Sequence, residues 1–216
     1  MKMRILFLAM ISLTFLLSGM ATAQEPAPQV FDYYGMALLQ VEGEDLEMYS
    51  LIRDGSPAFE TPLPLDFAAY EYTLVVTGLT LLSDAFPEVY ADGVIAIYAD
   101  ARSGGTAADY ASTGTFTDGT PFLTGVVTSL TLSHYGDVSS MTTGNGNGLV
   151  TWTGGSNLND MAPGDMDDWA LLVSSNSASA ELEPGYDEVW DGKVEPQGPI
   201  VDTEKTTWGS LKALMR

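Results

Sequence analysis

The 216-residue chain has no cysteine, one histidine, and only 8 lysines and arginines against 29 aspartates and glutamates. Without cysteine there are no disulfide staples, no thiolate nucleophile and no Cys-ligated zinc or iron–sulfur centre. One histidine, His134, excludes a His-rich metal centre. A formal net charge of −21 excludes a generic nucleic-acid binder, which needs basic residues along a phosphate track. Helical periodicity is scarce in the body of the chain. That excludes parallel βαβ folds, which place helical patterns of about 10–15 residues between strands. No repeat with a period of about 20–50 residues is present, which excludes a solenoid or propeller.

Long apolar runs are confined to the N-terminus. Lys2 and Arg4 precede Ile5 to Leu17, followed by Ala21-Thr22-Ala23. A basic start, a short apolar core and an A-x-A site predict a secretory signal peptide, residues 1–23, cut before Gln24. The core is shorter than the about 20 residues that cross a bilayer. The expected product is a secreted or periplasmic protein with no membrane span. Loss of Lys2 and Arg4 leaves 6 basic residues against the same 29 acids, or −23. Such an excess favours solubility and cation binding and disfavours phosphate ligands and anionic membranes.

The remainder reads as one β domain, residues 24–202, and a basic tail, residues 203–216. Strands are predicted at Met36–Val41, Leu46–Arg53, Tyr70–Thr77 and Gly93–Tyr98. A hairpin is predicted from Thr113–Thr117 and Phe122–His134 about the turn Asp118-Gly119-Thr120-Pro121. Leu149–Thr153, Trp169–Ser174 and Val189–Val194 complete the set, while Gly144-Asn145-Gly146-Asn147-Gly148 reads as a loop tip. In the long strand after Pro121, Val126, Thr128, Leu130 and Leu132 are assigned one face and Val127, Ser129, Thr131 and Ser133 the other. Short strands punctuated by Gly, Pro and Asp, with no helices between, predict an antiparallel all-β sandwich of jelly-roll type.

Oxygen ligands are densest at Asn157–Asp168. Asp160, Asp165, Asp167 and Asp168 within one tight loop suit calcium, which takes roughly six to eight oxygens in irregular geometry. The spacing does not follow the EF-hand pattern, and a plain solvated loop is the competing account. Asp187, Glu188 and Asp191 around Trp190 form a second, sparser cluster with the same two readings. Trp152, beside Gly154-Gly155, and Trp169, directly after the acidic loop, are candidate platforms for a sugar ring. Large aromatics in strands are more often core, because each buries about 150–250 Å².

Catalytic signals are weak. No G-x-S-x-G elbow accompanies His134, and among 29 carboxylates some pair always matches glycosidase spacing. The sequence therefore points to a non-enzymatic exported protein whose partner is a glycan or another extracellular protein. A carbohydrate-binding module, with or without calcium, is the alternative, and a secreted glycoside hydrolase the more distant one.

The tail contrasts with the acidic body. Lys205, Lys212 and Arg216 accompany Trp208, Leu211 and Met215 at helical spacing, which predicts a short amphipathic helix that meets a sorting or surface partner or folds back. The ending Trp208-Gly209 through Arg216 resembles the W-G-x-(apolar)-K-x-(apolar)-(apolar)-R termini of uncharacterised exported bacterial β-rich families. Leu65–Thr73 and Pro184–Val194 are similar to segments of the same kind. The resemblance implies a bacterial exported β protein and supplies no catalytic residues.

Overall fold

Period-two alternation of apolar and polar side chains lets one face of each strand be buried, and here that face turns inward all the way round. The computed structural model describes residues 30–39, 45–53, 63, 65–135, 143–161 and 165–197. The predicted signal peptide and the predicted helical tail lie outside the described residues. The described chain forms nine strands: β1 (Phe31–Leu38), β2 (Leu46–Ile52), β3 (Tyr70–Ser83), β4 (Glu88–Ala91), β5 (Gly93–Ala101), β6 (Thr120–Tyr135), β7 (Thr143–Gly154), β8 (Trp169–Asn176) and β9 (Glu188–Pro196). All pairings are antiparallel, and β1 pairs with both β2 and β9. β4 and β5 act as one stave kinked at Asp92, whose φ is 63°, and both pair with β3 and with β6.

The result is a closed eight-stave up-and-down barrel. The all-β expectation holds, and the two-layer sandwich is corrected. A sandwich keeps free edges, whereas Phe31 to Ala37 here zip against Val194 to Glu188 and remove the last edge. Alternation dictates only that each strand has an apolar face. It does not say whether those faces meet across two layers or around one ring.

The barrel interior is a packed core. Phe31, Tyr33, Met48, Leu74, Val76, Ile95, Ile97, Leu123, Val127, Leu130, Val150, Trp152, Leu171 and Trp190 are buried within it. The opposite faces are polar on several staves: Thr131 and Ser133 of β6, and Asn145, Asn147 and Thr153 of β7, point outward. Val94 of β5 and Val126 of β6 are also exposed on the outer wall.

Two corrections follow from close packing. Gly144, Gly146 and Gly148 are in β7, not at a loop tip. A Cβ on Gly146 would strike the Leu132 side chain, and one on Gly144 would crowd Ser175 and His134. The glycines give bulky neighbours the room that a narrow ring lacks. In β6, Val127 faces inward and Val126 outward, the reverse of the expected phase. The register with β7 steps from Val127↔Val150 to Ser129↔Leu149, so Thr128 is a bulge residue. One extra residue shifts the alternation, which places Val127, Leu130 and Leu132 together inside.

The two ends of the barrel differ. At one end Leu63 and Phe67, from the described part of the β2–β3 connection, and Leu158, Met161 and Met166, from that of the β7–β8 connection, pack on the core. Thr113–Phe116, expected as a strand, is a 3-10 turn in the long β5–β6 connection. That connection lies against the outside of β2 and β3, where Thr73 Oγ1 donates to the Phe116 carbonyl at 2.6 Å. Phe116, Tyr49 and Val75 form a small satellite core there. The other end carries the β3–β4 hairpin and the β8–β9 connection, and is called the hairpin end below.

Candidate functional site

At the hairpin end β4, β6 and β9 turn polar side chains inward, while Ala37, Leu46 and Leu79 keep the rest of that end apolar. Alternation along β6 brings His134 inward two residues beyond Leu132, with its side chain 12% exposed. Alternation along β9 does the same for Glu188, buried two residues before Trp190. Glu88, two residues before the buried Tyr90, enters from β4. Three separate staves thus supply one carboxylate–imidazole–carboxylate arrangement across the rim.

His134 Nε2 lies 3.0 Å from Glu188 Oε1, and Nδ1 lies 3.9 Å from Glu88 Oε1. Each carboxylate has a second donor. The Trp190 indole N–H donates to Glu188 Oε2 at 2.9 Å, and the Tyr90 hydroxyl donates to Glu88 Oε2 at 2.8 Å. The hydrogen bond to Glu188 raises the His134 pKa from its ordinary 6.5, against the opposing effect of burial, and the charges of Glu188 and Glu88 add to the rise. Burial alone would push the Glu188 carboxyl up. The hydrogen bonds from His134 and Trp190, with the imidazolium charge, outweigh that and hold it below its ordinary 4.5. Both shifts favour the charged forms, and the geometry is that of a His134–Glu188 ion pair with a second carboxylate at its side.

The sign of its pH dependence follows from linkage. The raised His134 value gives stability that is fully present below about pH 6.5 and lost as pH climbs through the folded-state value. The lowered Glu188 value gives stability present above about pH 4.5 and lost as pH falls through its folded-state value. Urea unfolding midpoints are therefore expected to be highest between these limits. The alkaline arm is the cleaner test, because with one histidine and no cysteine no other side chain ordinarily titrates between about pH 6 and 9. A midpoint that does not fall across that range would remove the ion pair from the stability account.

The residues singled out in the sequence are placed elsewhere. Trp152 and Trp169 are each only 2% exposed and meet edge to face at 5.8 Å, with Phe31 against both. They are core, so the sugar-platform expectation is corrected for both: burying them in the barrel removes the ring faces a sugar would need. The acidic loop turns its apolar residues inward and its acids outward. Trp169 Nε1–H donates to the Asp165 carbonyl at 2.6 Å, and the Trp152 N–H to the Met166 carbonyl at 2.8 Å. Asp160, Asp165, Asp167 and Asp168 are exposed, and Asp160 accepts a bond from Asn157 Nδ2 at 3.1 Å. Among the described residues no group of three or more acids or histidines converges as a metal site. The calcium reading of this loop rests on its composition.

The second cluster divides. Asp187 accepts the Leu39 N–H at 2.8 Å, Asp191 pairs with Arg53 at 3.3 Å on the surface, and Glu188 alone enters the barrel. The strand phase of Val189–Val194 carried that signal, since Glu188 and Trp190 share parity with Val194. Glu88 had none, because β4 is only four residues long.

Two further features complete the surface. The hairpin end exposes Leu82, Phe86 and Tyr135, and the Phe86 and Tyr135 rings meet edge to face at 6.1 Å. On the barrel wall, an open groove of about 500 Å³ is lined by Asp32, Leu172, Ser174, Asp191, Lys193 and Glu195. Comparison with protein-family models, with curated proteins and with solved structures finds no match for this chain.

Proposed function

We propose that this chain is an exported, non-enzymatic barrel that works by contact, meeting a positively charged extracellular protein surface with its hairpin end. The observation that carries the reading is the exposure of three large apolar side chains there: Leu82 at 62%, Phe86 at 69% and Tyr135 at 49%. Solvent-exposed aromatics grouped at one tip are the usual material of a binding hot spot. Acidic Asp84 and Glu88 lie on the same hairpin, in a chain of net charge −21. Like-charged surfaces are repelled and basic ones steered in. The predicted signal peptide supports an extracellular setting. A hydrolase gains little support, because a general acid needs a raised carboxyl pKa and Glu188 is held low. Phe86 and Tyr135 also offer an aromatic edge for a glycan, and this is the second reading.

The test uses purified residues 24–216, fluorescently labelled, added to the outer surface of intact cells of the exporting host. Saturable binding that weakens with salt is expected. The double variant Leu82→Ser with Phe86→Ser should bind at least about tenfold more weakly, because anchor residues of this kind contribute roughly 1–2 kcal/mol or more each. Equal binding by wild type and variant would defeat the reading. Competition by free glycans, with no effect of salt, would favour the second one.

A further inference from the structure

The hairpin that carries Leu82 and Phe86 is weakly tied to the barrel. β4 has only three register pairs with β6, at Glu88↔Leu132, Val89↔Thr131 and Tyr90↔Leu130. Its ladder with β3 is also three pairs long and is broken by a shift between Leu81 and Ser83. Short, irregular ladders near a sheet end belong to the parts of a protein that open first. A side-chain tie at Glu88 therefore matters more than it would in a central strand.

His134 supplies that tie from β6, and its other nitrogen is engaged by Glu188 of β9. β9 is not a neighbour of β6, since β7 and β8 lie between them in the ring. One imidazolium thus joins staves from opposite parts of the rim. Glu88 and Glu188 are the charged groups that act on it. Tyr90 and Trp190 face the cluster as donors to those carboxylates, while β7 and β8 present Gly144 and Ser175, which carry no charge. A neutral ring would leave the two carboxylates facing each other with no cation between them. Glu188, 3% exposed, is fixed by burial; Glu88, 33% exposed and bonded by Tyr90 of its own strand, is the one that can move toward water together with β4.

We propose that His134 is a proton-operated latch: as imidazolium it holds β4 to the rim, and on losing its proton it releases the β3–β4 hairpin and its apolar tip. This regulation rests on the contact role proposed above for that tip. The latch itself is a property of the free protein and is tested without any partner.

Because the chain has one histidine, its ring proton gives a single NMR titration curve. Amide hydrogen exchange of residues 88–91, corrected for intrinsic rate and referenced to residues 123–127, is followed on both sides of that midpoint. In the wild type, relative opening of 88–91 is expected to rise about tenfold on the alkaline side, as the loss of one partly buried charge contact allows. In Glu88→Gln, His134 should still titrate above its ordinary value through Glu188, while opening of 88–91 becomes independent of pH. In His134→Gln, opening should be high at both pH values. Constant relative opening in the wild type, or variants that follow the wild-type curve, overturns the latch. If the exchange result holds but the Leu82/Phe86 variant binds cells as well as wild type, the latch stands and the contact role falls.

Discussion

Replacing Trp152 with alanine is expected to cost about 3–5 kcal/mol of folding stability, a large share of the roughly 5–15 kcal/mol typical of a domain. Trp152 is 2% exposed and sits among rings that cannot readily close over a void. Phe31 meets it edge to face at 6.3 Å and Trp169 at 5.8 Å, while Phe31 stacks on Trp169 at 5.9 Å. Each ring projects from a position held in a ladder, Phe31 against β9, Trp152 against β6 and Trp169 against both β7 and β9, so relaxation into the cavity is limited. One feature softens the loss: the Trp152 Nε1–H is buried without a hydrogen-bond acceptor. Trp152→Phe removes that donor and keeps most of the ring volume, so it should cost well under half as much as alanine. Urea denaturation of both variants provides the check. An alanine variant within about 1 kcal/mol of wild type would mean the ring cluster does not organise this end of the barrel.

The second large effect is expected at Gly192, where a single methyl group has nowhere to go. The position faces inward on β9, and the Tyr33 side chain crosses it from β1 to donate its hydroxyl to the Leu172 carbonyl at 2.9 Å. A Cβ there would overlap the Leu172 carbonyl oxygen and press on the Tyr33 ring. The carbonyl belongs to backbone, so relief requires prising β8 from β9, and moving the ring strands the fully buried Tyr33 hydroxyl. Overpacking typically costs about 1–3 kcal/mol and more when backbone must yield. Gly192→Ala is therefore expected to lose at least about 3 kcal/mol or fail to accumulate as folded protein. Gly114→Ala, where a Cβ meets nothing within 4 Å, is the matched control and should stay within about 0.5 kcal/mol. Equal stability of the two variants, read from thermal melts, would contradict the packing described here.

How far the sequence is legible can be followed through particular residues. Tyr72, Leu74 and Val76 alternate cleanly, and β3 lies where the alternation puts it. The phase of β6 was legible at Leu130 and Leu132 but not at Val126 and Val127, because nothing in the residue types marks Thr128 as a bulge. The Gly144–Gly148 run reads as a turn by composition, and only the neighbours Leu132, Ser175 and His134 explain why small residues sit in a strand. Closure was not legible either, since the pairing of β1 with β9 joins segments that share no local pattern.

The same holds for the candidate site. His134 read as a lone histidine and Glu188 as one acid of a surface cluster. Each acquires meaning only when the ring brings β4, β6 and β9 to one rim. Trp152 and Trp169 illustrate the converse. Both stand beside a tempting loop in sequence, and both are drawn inward by the apolar area they bury.

The seam between Phe31 and Val194 also sets a time order. These partners are 163 residues apart in the chain, so the ring can shut only after nearly all of its staves exist. Until then the incomplete sheet has two raw borders, β1 and whichever stave was made last, each able to recruit a second molecule. Contacts this distant slow the search for the native state to the millisecond-to-second range. Mutual repulsion among copies carrying so many carboxylates keeps them apart during that interval, which gives the acid excess a part to play before any fold is complete.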